Sequence, residues 1–332
     1  MKNRNTCLDF LRGLLCISIV LIHIPFPGTL GKVLSIGNMV AVPFFFMTSG
    51  YYAWENGRNS DEVLKRRALK MIKILVEMFI LYGGYCLVIS IHYNNLEEWV
   101  EKYFNLHSLR SILLFNNYDI IRGGQFWFFP VLIECYILLW VVEKWEKRNL
   151  IYKWIPLFLL GYYGWNCLVD LYLAAYDSKI GSIFIFSGWP FFILGNYFAF
   201  HSEVKNRIPN GALLIGIATE IGYSLLSAFG VWGNIYIFRF IVILGTASLF
   251  LIGVKNSQMS MCKLIEKLGR RYSMYVYLFH ILVMFILQYF LNHWGLSDKS
   301  WVGYFMPIAV VCISIMGGIM CEQLKRIKRN TQ

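Results

Sequence analysis

The chain has 332 residues, 58% of them apolar and only 15% charged, and a net charge of +12. Ordinary soluble domains hold roughly 45–50% apolar and 25% charged residues; here the apolar excess is gathered into blocks of about 20 residues, the length that spans a bilayer as a helix. That pattern excludes a soluble globular protein, and without short alternating strands it excludes an outer-membrane barrel as well.

Ten spans are predicted, over about 8–26, 34–54, 72–93, 125–142, 151–171, 183–200, 211–229, 234–253, 272–292 and 301–321. The fold class is therefore an all-α integral membrane protein of about ten transmembrane helices, a single polytopic domain over 1–332. The first span carries Asp9, Arg12 and His23. Charged or titratable groups in a span are costly, so they face a protein interior, a cavity or the interface. The eleven residues from Arg12 to His23 make close to three helical turns. Both then share one face with Cys16 and Ile19 between them, about 16 Å apart along the axis. Asp9, one turn before Arg12, is within pairing reach. The bland alternative is a snorkelling Asp/Arg pair and a hydrogen-bonded packing histidine. A basic start and an apolar run also raise the question of a signal peptide. Asp9 and Arg12 interrupt that run, and no small-x-small site precedes the polar turn 25–31, so an uncleaved span is expected.

Between the second and third spans lies a basic amphipathic stretch with Arg66, Arg67, Lys70 and Lys73. Segment 94–124 is the longest loop. In it Leu96, Trp99, Val100, Tyr103 and Phe104 recur at helical spacing among Glu97, Glu98 and Glu101, which fits a helix lying at an interface. Glu134 falls in the fourth span. Glu220 and Arg239, on the seventh and eighth, lie within about 6 Å of the same depth, and read as a structural ion pair. His280 lies inside the ninth span among Tyr275, Tyr277 and Phe279, either as a second active-site group or as a satisfied core histidine.

If the chain starts inside, the outer segments hold only Lys32, Lys102, Arg110, Arg122, Lys179 and Lys299 of its 31 Lys and Arg. Arg12 and Arg239 lie within spans, and the rest fall on inner segments. This asymmetry places both termini in the cytoplasm. It also accounts for the basic balance as orientation and contact with anionic lipids, with no nucleic-acid partner. The eight cysteines are scattered singly and read as packing residues. The histidines show no metal-ligand spacing, so no metal is expected.

Three stretches carry a resemblance. They are Arg4-x4-Asp9-x2-Arg12-Gly13-x9-His23, the run from Val42 to Tyr51 (VPFFFMTSGY), and the run from Ser273 to His280 (SMYVYLFH). In this order they resemble the acyltransferase-3 family of bacterial membrane acyltransferases, and Gly124–Phe129 is similar to that family's aromatic fourth-span segment. The resemblance implies an acyltransferase-3-like bundle in the bacterial inner membrane. It implies an O-acyltransferase that takes an acyl group, acetyl in the commoner case, from cytoplasmic acyl-CoA. The acceptor would be a hydroxyl of a cell-surface glycan or a lipid-linked precursor, and acyl-CoA is a substrate with no permanently bound cofactor. Arg12 and His23 are the functional pair of the resemblance; Asp9, His280 and Glu134 are candidate supporting groups from their positions alone, Glu134 as a lining of the acceptor cavity. An imidazole with an ordinary pKa near 6.5 suits the base.

Arg66, Arg67, Lys70 and Lys73 would meet the donor's phosphates. The family's Arg-x-Arg element is replaced here by Lys65-x-Arg67, and a plain positive-inside cluster is the alternative. Asp9 is too far along the helix to orient His23, and no orienting group is legible. A transporter coupled through His23, Glu220 and Arg239 is the competing class, and no internal repeat supports it. A membrane scaffold for envelope assembly is a third reading. Oligomeric state leaves no mark on the sequence.

Overall fold

A computed structural model describes residues 4–53, 60–173, 182–231 and 233–330. The helices in chain order are α1 (Thr6–His23), α2 (Gly28–Leu34), α3 (Asn38–Ala53), α4 (Ser60–His92), α5 (Leu96–Tyr103), α6 (Leu106–Phe115), α7 (Phe128–Lys144), α8 (Arg148–Lys153) and α9 (Ile155–Leu168). They continue as α10 (Phe184–Ser187), α11 (Trp189–Phe200), α12 (Val204–Arg207), α13 (Asn210–Ala228), α14 (Ile235–Lys255), α15 (Lys263–Lys267), α16 (Ser273–His293) and α17 (Val302–Asn330). Among the described residues there is no strand. Lys179, and the part of the basic inner segment before Ser60, lie outside the described residues.

Among the described residues, eight helical stretches are long and apolar enough to cross a membrane. The predicted spans 151–171 and 183–200 differ from these because each is interrupted. Pro156 and Pro190 sit in the first turns of α9 and α11, where a ring without an N–H costs no intrahelical hydrogen bond. The first of them is therefore built from α8, α9 and a π-helical turn at Val169–Leu173, the second from α10 and α11. The basic stretch before the third span is no separate element. It runs unbroken into α4, a helix of 33 residues.

The chain divides into two compact units, with boundaries inside α3 and α14. The first holds residues 1–42, 205–234 and 241–332; the second holds 43–204 and 235–240. In the second unit α4 packs along α7. The turn leading into α7 is held to α4 by Phe126, buried with its ring edge-on to Tyr82 at 4.8 Å, and by Gln125 Nε2 donating to the Tyr82 hydroxyl at 3.0 Å. The outer side of α4 shows the opposite character. Ile72, Val76, Ile80, Val88 and Ile91 are all exposed, a density of bare apolar side chains that lipid covers and water does not.

The Thr-Ser-Gly segment of α3 has a packing cause. A Cβ on Gly50 would collide with the Phe192 carbonyl oxygen, and one on Gly195 with that of Met47. Small residues thus let α3 and α11 meet backbone to backbone, the usual device where lipid offers no hydrophobic drive between helices. Asn196 fills the polar vacancy so created. Its amide donates to the Gly50 carbonyl at 3.0 Å and accepts from the Tyr152 hydroxyl at 2.8 Å.

In the first unit α1 packs against α15, the π-helical turn Leu268–Tyr272 and α16. Asn5 caps α1 by accepting from Leu8 N at 2.8 Å, and its amide donates to the Gly253 carbonyl at 3.0 Å. Thr6 N and Oγ1 both donate to the Ser257 carbonyl. The start of α1 is thereby tied to the end of α14 before any buried group is placed.

Candidate active site

The first unit brings the predicted residues of α1 together with the end of the 268–280 segment. Gly13 and Gly269 make the approach possible. A Cβ on Gly269 would meet the Asp9 carbonyl oxygen and the Gly13 nitrogen, and one on Gly13 would meet the Ile265 carbonyl oxygen. The glycine after Arg12 is therefore a contact requirement. The π-helical turn that carries Gly269 adds the widened backbone that π-helices commonly contribute at functional sites.

Directly beyond that turn, Ser273 is 4% exposed and its hydroxyl donates to the Gly269 carbonyl at 2.8 Å. Arg12 Nη2 donates to the same hydroxyl oxygen at 3.4 Å, and the Cys16 thiol donates to the Ser273 carbonyl at 3.4 Å. On its other side Arg12 faces Asp9, with Nη1 3.8 Å from the buried carboxylate, which Arg4 Nε engages at 2.7 Å. Arg12 Nε is buried and has no hydrogen-bond partner among the described residues. Two cations thus flank the Asp9 carboxylate, and one Arg12 N–H is unspent.

Cys16 and Ile19 are buried, as expected for the face that links Arg12 to His23. At its far end His23, the last residue of α1, is exposed. Its ring centroid lies 5.2 Å from that of His280, with the planes at 45°. Arg12 stands beside Ser273 and His23 beside His280, so α1 and α16 run in the same direction. His280 is fully buried. Its Nδ1 lies 3.0 Å from the Val276 carbonyl and 2.9 Å from that of Tyr277. Carbonyls only accept, so Nδ1 carries the proton, and in the neutral ring Nε2 presents a lone pair. That nitrogen is buried without a partner among the described residues.

Sequence reasoning placed Asp9, Arg12 and His23 on one helix but gave His23 no companion. The structure supplies His280 as that companion, and adds Ser273, Cys16 and Arg4. Ser273 and His280 stand seven residues apart, near two turns of one helix; that repeat was legible, whereas the helix it faces was not.

The remaining predicted residues lie in the second unit, except Glu220 in the first. Arg66 and Lys70 are exposed, and Lys73 is 3.9 Å from Glu77. These three share a helix face, while Arg67 turns inward and hydrogen-bonds the Tyr136 hydroxyl. Glu134 Oε2 is buried without a hydrogen-bond partner among the described residues. Its charge and burial together push the Tyr118 phenol in the 94–124 segment up to about 12, burial being the larger cause. The predicted Glu220–Arg239 pair needs correction. Arg239 Nε donates to Asp170 Oδ2 at 2.7 Å, in the π-helical turn after α9, and Glu220 accepts from the Ser224 hydroxyl at 3.0 Å. Depth matching along two helices does not fix their rotation, and rotation chose the partner.

Fold and site together define a polytopic helical membrane protein that carries an imidazole pair and a half-buried arginine on facing helices. The family model of acyltransferase-3, described as an acyltransferase domain, matches residues 5–321. The chain belongs to that family, and it is a membrane acyltransferase. No curated protein and no solved structure matches it.

Proposed function

We propose that the enzyme moves an acyl group, acetyl in the first instance, from acyl-CoA to a hydroxyl of a cell-surface glycan or its lipid-linked precursor. It would sit in the bacterial inner membrane with both termini in the cytoplasm. The observation that carries this reading is the pairing of an exposed His23 with a buried His280 whose Nε2 has no partner. An N–H···N bond of about 2.9 Å between two imidazoles needs a ring separation close to the 5.2 Å found. In the structure that bond is not made; once His23 turns an N–H to His280 Nε2, its tautomer is fixed and its other nitrogen is left bare.

The bare nitrogen takes the acceptor's hydroxyl proton as the oxygen attacks the thioester carbonyl. The C–S bond breaks as the tetrahedral intermediate collapses, the new ester departs, and the thiolate receives the proton from His23. His280 is a positioning residue in this scheme, and stabilises the imidazolium formed during attack. Arg12, about 16 Å away along α1, is too distant for the reacting carbonyl when His23 is engaged. Its unspent N–H and its guanidinium charge suit the donor's anionic part. Arg66, Lys70 and Lys73 offer further cations for the phosphates, and Arg67 shares the segment while bonded to Tyr136.

The test uses protein purified into nanodiscs with acetyl-CoA, and surface glycans from cells with and without it. Free thiol release and a mass increment on the glycan are expected. His23→Ala should lower transfer by about 10²–10⁴, the usual contribution of a general base. His23→Gln keeps a polar group without the base and should be similarly inactive. Near wild-type acylation by His23→Gln at matched abundance would remove His23 from the mechanism.

A further inference from the structure

In the second unit, the segment after α4 forms a half-open cavity of about 160 Å³ with a mixed polar and apolar lining. It is lined by Lys102, Tyr103, Ser108, Ser111, Asn117 and Asp119, among others. The walls are built, not incidental. The Asn105 amide donates to the Glu101 and Lys102 carbonyls at 3.0 and 2.9 Å, while its Oδ1 accepts from Ser108 N at 2.9 Å. One side chain thus closes the end of α5, caps α6 and sets the angle between them. Asn116, in the left-handed conformation at φ 53°, ends α6 and turns the chain back. Asn117 N then donates to the Ser111 carbonyl at 3.2 Å, and Asn117 Oδ1 accepts from Asp119 N at 3.0 Å. Trp99 Nε1, donating to the Ile120 carbonyl at 3.3 Å, pins the far wall to α5.

The lining selects a ligand by charge and by hydrogen bonding. A carboxylate at Asp119 disfavours an anion, and an ammonium at Lys102 disfavours a cation. Hydroxyls and an amide between them offer donors and acceptors in alternation, which suits a neutral molecule whose substituents each donate and accept. Drug-sized pockets are about 300–1,000 Å³, so this cavity takes a single small ring. The Tyr103 ring gives it one flat wall, with Lys102 Nζ 5.3 Å from the ring centroid. We propose that the cavity binds one pyranose residue of the acceptor, which rests on the glycan-acceptor reading above and names where that glycan is held.

The opposite face of α6 gives the setting. Leu106, Leu109 and Leu113 are 69%, 52% and 70% exposed and recur at helical spacing. Ser108 and Ser111 project from the other side. Among described residues that include eight stretches long and apolar enough to cross a membrane, a short helix with a bare leucine ridge suits the boundary of the bilayer. A sugar held on its polar side is then reachable either as the end of a soluble glycan or as the head of a lipid-linked saccharide.

The experiment uses full-length protein in nanodiscs and saturation-transfer NMR with a panel of methyl glycosides of glucose, galactose, mannose, N-acetylglucosamine and glucuronic acid. At least one should receive transfer that Asp119→Asn weakens at least fivefold and Ser111→Trp abolishes. Asp119→Asn keeps the shape of the wall, so it reports binding even if the tryptophan disturbs folding. Transfer to no glycoside, or transfer that neither variant lowers, overturns the proposal. Binding with those losses, but no glycan acylation by the wild type, leaves the cavity standing and removes the acceptor reading. Acylation whose acceptor KM is unmoved in Asp119→Asn removes the cavity and keeps the reading. With activity in hand, a polyprenyl-phosphate-linked sugar and a soluble oligosaccharide are compared as acceptors. The one whose KM rises at least fivefold in Asp119→Asn identifies which form the cavity receives, and no rise for either overturns it.

Discussion

His280→Phe separates the proposed role of the buried imidazole from its packing. The residue is fully buried, and its Nε2 has no hydrogen-bond partner among the described residues. An unsatisfied buried acceptor costs about 1–3 kcal/mol, which phenylalanine removes. The larger ring adds about 1–3 kcal/mol of overpacking. The two offset each other, so stability and abundance should stay near wild type. Activity should not. A hydrogen bond to a charged group is worth about 1.5–3 kcal/mol, and His23 becomes charged as it takes the acceptor's proton. At 1.36 kcal/mol per tenfold, the loss in kcat is roughly 10- to 160-fold, with little change in the KM for acyl-CoA. The assay is acceptor-dependent thiol release by protein in nanodiscs, beside a thermal unfolding curve. A second variant pair closes the cycle. If His280 acts only through His23, then His23→Gln with His280→Phe is no slower than His23→Gln alone. Wild-type kcat in His280→Phe, or additive losses in the double variant, would refute the positioning role.

Three other expectations follow from the same geometry. Arg12→Lys keeps a charge near Asp9 but loses the contact to Ser273 and the unspent Nε–H; kcat/KM for acyl-CoA should fall at least tenfold at matched abundance, measured by thiol release. Gly269→Ala forces a Cβ onto the backbone of α1 and should cost about 1–3 kcal/mol or more of stability. Gly84→Ala in α4, with open space around it, should instead gain about 0.5–1 kcal/mol, and thermal unfolding in nanodiscs compares the two. Arg239→Leu leaves Asp170 without its partner at 2.7 Å, so it should unfold at a lower temperature than the double variant with Asp170→Leu, because a half-buried lone charge is worse than none.

Composition and the length of the apolar blocks determined the class by themselves, since a bilayer of fixed thickness leaves few ways to satisfy the backbone. The ordered stretches around Arg12, Thr48 and His280 were equally legible, and so was the shared face of Arg12 and His23, because helical periodicity is a local property. Tertiary structure alone decided everything that depends on how one helix is rotated against another. Asp170, and not Glu220, meets Arg239; Arg67 turns to Tyr136 while Arg66, Lys70 and Lys73 stay outside; and the chain folds Asn105 between two short helices to enclose a cavity. Above all, 257 residues separate His23 from His280. Only the close crossing that Gly13 and Gly269 permit brings their rings together, and a crossing is a matter of backbone contact that no spacing along one chain segment records.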